Sequence, residues 1–365
     1  MEPPYPVVSV GGSAYECGLG HGEAAKGLIQ SNIGYYMGYW ERNLAMDGSA
    51  VRSRANALEE AVAGFDGALL EEMRGVADGA DANLEDILAL NGRYELAWAS
   101  PKQLLGGCTC LGAMPTATKT GCTLLAQNWD YRLGAREALI VLDVKREGAP
   151  AVVMLTEAGI IGHKGLNSAG LGLAINAMVS DMDKLGNHVP FLLLCREMLN
   201  CEGLSDAVGV FLNAGRSVSY NVMLGCGGAL LDLEAHPRDV SVLLPEAGVL
   251  AHTNHFVGPR DLGIRDEYAK MEPSTLHRLL VAREQLLRGA GAHTEESLME
   301  ILRSHVGYPS SVCFHPDPRK WRDGMEETLT SFVMNLEERA IWATRGPPCS
   351  GPYTRLSLSS LHVAS

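Results

Sequence analysis

The amino-acid sequence predicts an α+β fold in which two β-sheets pack face to face with helices on the outside. Three observations predict it. Roughly the first hundred residues are helix-compatible, short apolar or alternating runs take over after Cys108, and paired helical stretches separate the later strand blocks. A chain of 365 residues suffices for one large domain or two ordinary ones. Its 46% hydrophobic and 20% charged content are those of a globular protein.

Each element follows from its local pattern. Residues 20–46 and 52–79 hold long helix-compatible stretches with charges on one side. Asn83-Leu84-Glu85-Asp86 has the form of a helix start, and Ile87, Leu88, Leu90 and Tyr94 give it an apolar stripe. Residues 100–107, with Pro101 and Gly106-Gly107, break the helix. Strands are expected at Cys122–Trp129, Leu139–Lys145, Ala151–Thr156 and Gly170–Asn176, bounded by turn residues such as Gly148-Ala149-Pro150. Helices follow near 190–200 and 204–214, then strands at Tyr220–Leu224, Ala229–Glu234, Val240–Leu244 and Val249–Thr253. Helices near 274–289 and 294–306 come next, and Leu276, Leu279, Leu280, Leu286 and Leu287 are expected to form the core face of the first. Strands near Thr328–Asn335, Ala340–Thr344 and Thr354–Leu358 close the chain. No repeat or linker divides it, and the helical N-terminal segment is expected as an added layer that wraps the site.

Composition excludes several classes. A formal charge of −13 without a Lys/Arg cluster argues against nucleic acid. No run of 18 apolar residues is present, so no membrane span is expected. Met1-Glu2-Pro3-Pro4 has neither a basic nor an apolar signal region. Nine irregularly spaced cysteines suit a reduced, cytoplasmic protein, with Cys17, Cys195, Cys201, Cys226 and Cys349 expected as structural, mostly buried thiols.

Cys108 differs through its neighbours, Leu105-Gly106-Gly107-Cys108-Thr109. Glycine takes backbone angles closed to other residues, so a thiol behind Gly-Gly can swing back onto its own preceding carbonyl. Were the Gly107–Cys108 bond to break, the freed α-amine, which ordinarily titrates near pH ~8, would serve as base for the thiol of the same residue. The alternative is a buried cysteine after a glycine-rich turn. Asp130, in Asn128-Trp129-Asp130, ends a strand and either orients that amine or caps a turn. Asn254, in His252-Thr253-Asn254-His255, is either an oxyanion donor or a turn former. Asn176 ends a strand in similar style. Cys108, Cys110, Cys122, His252 and His255 are the residues from which a zinc site would be assembled, but C-x-C is not a common zinc spacing. Gly11-Gly12 and Gly225-Cys226-Gly227-Gly228 lack the spacing of nucleotide loops and read as turns.

Longer motifs add a family resemblance. Gly18-Leu19-Gly20-His21-Gly22-Glu23, Asn91-x-Arg93-x-Glu95, Gly107-Cys108-Thr109, Gln127-Asn128-Trp129-Asp130, Thr156-Glu157-Ala158-Gly159, Gly165-Leu166-Asn167-Ser168-Ala169-Gly170 and His252-Thr253-Asn254-His255 occur in order over nearly the whole chain. Together they resemble the acyl-coenzyme A:6-aminopenicillanic acid acyltransferase (isopenicillin N acyltransferase) family of self-processing cysteine N-terminal nucleophile hydrolases. The resemblance implies a four-layer αββα sandwich and self-cleavage between Gly107 and Cys108. Residues 1–107 would become an α chain that stays with a β chain of residues 108–365. It implies Cys108 as nucleophile, Asp130 near its amine, Asn254 in the oxyanion hole and, less directly, Asn176 beside it. No cofactor or metal is implied. The partner is a small-molecule acyl donor: an N-acyl amine, an amino-acid conjugate or acyl-CoA.

The sequence departs from the family in places. Ser311-Val312-Cys313-Phe314 stands where the family often reads Ser-Ile-Cys-Arg, which removes a cation expected near the site, with His315 as a partial substitute. Gln127 replaces the arginine of the bile-salt-hydrolase branch, and 361–365 lacks the peroxisomal tripeptide of the fungal enzyme. Penicillin chemistry is therefore not assumed. The alternative from another class is a non-catalytic or zinc-stabilised binding protein that retains the fold.

Overall fold

A computed structural model describes residues 2–97, 107–184, 186, 188–258, 263–319 and 325–358. Pro101, Leu105, Gly106 and 361–365 lie outside the described residues.

The N-terminal segment begins with strand β1 (Val7–Gly12) and continues through helices α1 (Ala14–Ala24), α2 (Lys26–Leu44), α3 (Gly48–Asn56), α4 (Glu59–Phe65), α5 (Gly67–Ala80), α6 (Leu84–Asn91) and α7 (Arg93–Leu96). Ser13 starts α1 with a reciprocal capping box to Glu16. Glycines set the contact between α1 and α5. A Cβ on Gly18 would overlap the Glu72 carbonyl, and one on Gly75 would overlap the carbonyl of Tyr15. The Gly-x-Gly-x-Gly motif of α1 thus serves close helix packing rather than a turn.

Two sheets form the centre. The first runs β1, β4 (Leu139–Arg146), β5 (Val152–Glu157), β6 (Lys164–Asn167), β7 (Gly172–Ala177), β8 (Tyr220–Cys226), β9 (Ala229–His236) and β10 (Asp239–Leu243). The second runs β11 (Val249–His252), β2 (Cys108–Ala113), β3 (Leu124–Arg132), β12 (Glu326–Asn335), β13 (Ala340–Ala343) and β14 (Thr354–Ser357). Strands β2 and β3 pack on β7, which places the sheets face to face. Helix α1, with α8 (Phe191–Leu199) and α9 (Leu204–Asn213), covers the first sheet. Helices α11 (Ser274–Gly289) and α12 (Glu295–Leu302) cover the second, and the short α10 (Tyr268–Met271) precedes them. The result is a four-layer αββα sandwich, as expected. No described helix is long and apolar enough to cross a membrane.

Three expectations are corrected. The N-terminal segment is more than an added helical layer, because β1 joins the first sheet parallel to β4, Val7 opposite Val141. A parallel partner so distant leaves no hairpin signal in the sequence. Strand β6 is also unanticipated, since Lys164-Gly165-Leu166-Asn167 lacks an apolar alternation. In α11 the inward face is Thr275, Arg278, Leu279, Ala282 and Leu286, whereas Leu276 and Leu280 are 52% and 60% exposed. The helix therefore turns polar groups toward the second sheet.

Candidate active site

Strand β2 starts at Cys108 and lies between β3 and β11, so that three strand ends meet at one point. The Gly107 carbonyl oxygen accepts the backbone N–H of Asp130 at 2.8 Å. The Cys108 N–H donates to Asn254 Oδ1 at 2.8 Å. The peptide bond between Gly107 and Cys108 is thus held on both sides. Asp130 Oδ1 accepts the Thr328 hydroxyl at 2.6 Å, while Oδ2 is buried without a partner. A Cβ on Gly107 would stand 2.9 Å from that oxygen. Gly107 thus leaves room for the Asp130 carboxylate.

Arg278, unanticipated from the sequence, completes the cluster. Its Nη1 donates to the Cys108 carbonyl at 2.8 Å and to Thr109 Oγ1 at 3.1 Å, and its Nη2 donates to Asn254 Oδ1 at 3.0 Å. Phe314, at the position where the resemblance leads one to expect an arginine, is buried, and the cation on the cluster is Arg278 of α11. Asn254 therefore turns its amide oxygen to the Cys108 nitrogen, and its Nδ2 donates to the Ala177 carbonyl at 2.9 Å. Thr275 accepts the Asn254 N–H at 2.9 Å, which anchors the turn to α11.

The electrostatics follow from burial. Burial pushes the Cys108 thiol up to about 11, with Asp130 adding to the shift and Lys164 and Arg278 opposing it. Burial also raises Asp130 to about 7, against the pull of Arg278 and Thr328. Lys164 Nζ lies 3.0 Å from the centre of the Trp129 ring, buried without a hydrogen bond. Burial drives it well below the usual lysine range despite the nearby Cys108. The site thus holds a protonated thiol, a carboxyl poised near neutrality and a lysine that gives up its charge readily.

The other sequence candidates divide. Asn176 Oδ1 accepts the Asn221 amide at 3.1 Å, and its side chain lies by the Cys110 thiol, two residues along β2 from Cys108. Gln127 binds both the N–H and the carbonyl of Ile175 and so staples β3 to β7. His252 Nε2 is 2.8 Å from Glu234 Oε1 and its Nδ1 is 2.7 Å from the Thr253 carbonyl. It is engaged there and does not converge with Cys108, Cys110 and Cys122; among the described residues, the His/Cys group with converging ligand atoms is a different one. Cys349, expected as a structural thiol, is exposed.

These contacts invite comparison with known proteins. The profile of the family described as acyl-coenzyme A:6-aminopenicillanic acid acyl-transferase matches residues 117–349. The chain belongs to this family. It is 27% identical over 328 residues to the acyl-coenzyme A:6-aminopenicillanic-acid-acyltransferase 40 kDa form of Emericella nidulans, covering 89% of this chain and 87% of that protein. Among solved structures it is similar to a mutant conjugated bile acid hydrolase from Clostridium perfringens, with 14% identity, a TM-score of 0.45 and coverage of 69% and 93% of the two chains. Penicillin V acylase from Agrobacterium tumefaciens gives 11% identity, a TM-score of 0.45 and coverage of 69% and 86%. Membership of the acyltransferase family makes acyl transfer or acyl hydrolysis the chemical class of this protein.

In this family member the Asn91-x-Arg93-x-Glu95 motif that precedes Cys108 is tied to the core. Asn91 donates to the Gly159 carbonyl at 2.9 Å and accepts the Ile161 N–H at 3.0 Å. Arg93 Nη1 stands 2.7 Å from Glu157 Oε1 in a buried ion pair, and Glu95 accepts the Phe191 N–H at 2.9 Å. An apolar groove of about 410 Å³ lies elsewhere, between β10, β11 and α11, lined by Leu243, Leu250, Leu279 and Leu286 among others. Neither Cys108, Asp130 nor Asn254 lines it, so the chemistry above, not the groove, defines the site.

Proposed function

We propose that the chain is a self-processing cysteine acyltransferase or amidohydrolase whose precursor is cut between Gly107 and Cys108. The observation that carries this reading is the double grip on that peptide bond: Asp130 N–H on the Gly107 carbonyl oxygen and Asn254 Oδ1 on the Cys108 N–H.

In the precursor, Asp130 Oδ2 takes the thiol proton and Cys108 Sγ attacks the Gly107 carbonyl carbon. The Asp130 N–H stabilises the oxyanion. The C–N bond breaks as the proton passes to the Cys108 nitrogen, leaving a thioester between Gly107 and the Cys108 sulfur. Water hydrolyses that ester to the Gly107 carboxylate and the free thiol. Residues 1–107 remain attached, since β1, α1 and the Asn91–Glu95 motif are bound to the core.

In the mature protein the Cys108 α-amine replaces the amide on Asn254 and serves as base for the thiol. Cys108 then attacks a small acyl donor, either an N-acyl amine or an acyl-CoA. Asn254 has one Nδ2 proton beyond its bond to Ala177 for the acyl oxyanion, and Arg278 fixes its orientation. Water or an amine resolves the thioester. Nine thiols without a disulfide suit a reduced, cytoplasmic setting.

Intact-mass spectrometry of the protein beside Cys108→Ala tests the reading. Two fragments meeting at Gly107/Cys108 in wild type and one uncut chain in the variant are expected, followed by thioester formation with a panel of acyl donors. An uncut wild-type chain after incubation at neutral pH with reductant would overturn it.

A further inference from the structure

A second constellation lies apart from the nucleophile. His305 follows α12, Cys313 and His315 sit in the loop before β12, and Cys349 lies in the turn after β13. One ligand atom from each lies within 4.8 Å of all the others. His305 Nε2 and His315 Nε2 are 3.1 Å apart. Cys313 Sγ and Cys349 Sγ lie 3.4 Å and 3.5 Å from the same His315 nitrogen.

That arrangement is poorly explained by hydrogen bonding alone. His315 Nε2 offers either one proton or one lone pair, yet three potential ligand atoms close on it. A tetrahedral zinc with Zn–N of about 2.05 Å and Zn–S of about 2.3 Å separates nitrogen from nitrogen by about 3.3 Å and nitrogen from sulfur by about 3.6 Å. The three spacings agree with those values to a few tenths of an ångström. Two thiolates would neutralise the dication, which suits a site that is part buried and part exposed.

We propose that His305, Cys313, His315 and Cys349 form a Cys₂His₂ site for zinc, a closed set of four protein ligands and therefore structural. This differs both from the absence of metal expected from the sequence and from the cysteine and histidine set around Cys108.

The metal would join three segments that other bonds already bring together. Arg303 Nε donates to the Pro348 carbonyl at 3.0 Å, and the Cys313 N–H donates to the Ser304 carbonyl at 3.0 Å. The same loop reaches the catalytic cluster. Asn128 Nδ2 donates to the carbonyls of Leu302 and Val312, each at 2.8 Å. The Phe314 N–H donates at 3.0 Å to Thr328 Oγ1, whose hydroxyl donates to Asp130 Oδ1. Zinc would thus hold the loop that fixes Thr328 and, through it, Asp130.

The test is metal analysis of the full chain purified under reducing conditions, loaded with zinc and dialysed, with cobalt substitution as a second readout. About one zinc per chain is expected, and the cobalt form should show tetrahedral d–d bands with thiolate charge transfer. His305→Gln and Cys349→Ser, both at exposed positions, should fold as wild type by circular dichroism and each weaken zinc by more than about 100-fold, since even an outer-shell loss costs 10–100-fold. Cys122→Ser, a thiol outside the cluster, should bind zinc like wild type. The proposal is overturned if wild type retains no metal, if both ligand variants retain it at wild-type affinity, if cobalt gives no thiolate band, or if Cys313 and Cys349 form a disulfide in the reduced preparation. None of these readouts depends on self-cleavage, so failure here and failure of the acyl-transfer reading are separate results.

Discussion

Asp130 grips Gly107 through its backbone N–H at 2.8 Å while its own Oδ2 has no partner beside the place a Gly107 side chain would occupy. In the proposed cleavage this one residue would both polarise the Gly107 carbonyl and act as base for the Cys108 thiol. Because burial raises Asp130 to about 7, its carboxylate forms only as pH rises through that value. The rate of Gly107–Cys108 cleavage should accordingly rise with pH up to about 7 and then level, until the thiol itself ionises. Asp130→Asn keeps the backbone donor and the Thr328 contact but loses the base, and should slow cleavage by about 10²–10⁴-fold. Intact-mass time courses over a pH series check both statements; a flat profile in wild type would remove Asp130 from the proton transfer.

Arg278 opposes the rise of the Asp130 pKa and orients Asn254. Removing the guanidinium should therefore move the pH profile of cleavage upward, because the carboxylate loses its nearest favourable charge. Arg278→Gln should also slow acyl turnover by about 10²–10³-fold, as expected when an oxyanion donor loses its support. The upward shift separates this role from mere loss of packing, which would lower the rate at every pH.

Cys108, Asp130 and Asn254 are visible as candidates in the sequence because each sits in a short motif at or within two residues of a strand end, and the fold brings the three together. Arg278 is not, because its helix reads by its leucines. Leu276 and Leu280 resemble a core stripe yet face outward, while the buried arginine looks like a surface charge in sequence. Lys164 is hidden in a four-residue strand with no alternation. The Cys₂His₂ group escapes the sequence because its ligands come from three segments, and metal spacing in sequence reveals only ligands held close along the chain. The four-layer architecture is predictable from element order, but the parallel pairing of β1 with β4 needs the folded chain.

His252 lies two residues before Asn254 and faces acceptors on both ring nitrogens: Glu234 Oε1 and the Thr253 carbonyl. A proton on each nitrogen, the imidazolium form, satisfies both contacts. Burial disfavours that charge, but Asp232, Glu234 and the Thr253 carbonyl together raise its pKa above the ordinary 6.5. A raised histidine contributes stability that is complete below the unfolded value and is lost as pH rises through the folded one. Thermal denaturation should therefore show wild type losing stability from about pH 6.5 upward relative to His252→Gln, which should be less stable at low pH and flatter across the series. Parallel curves for the two proteins would rule out the charged ring.

The α1–α5 contact offers a test of how the N-terminal segment stays attached. Gly18 and Gly75 each lie where a Cβ would run into backbone of the other helix, and backbone cannot rotate away as a side chain can. Gly18→Ala should destabilise the protein by about 1–3 kcal/mol or more through overpacking, although alanine is the better helix former by about 1 kcal/mol. Gly27→Ala, in α2 with open space around its Cβ position, should be neutral or slightly stabilising by the same propensity. The two together separate steric exclusion from helix propensity. If Gly18→Ala melts like wild type, the glycines of the Gly-x-Gly-x-Gly motif do not set the helix distance. If it melts lower and residues 1–107 dissociate from the cleaved protein, the close crossing is what keeps β1 in the sheet and the Asn91–Glu95 motif against the core.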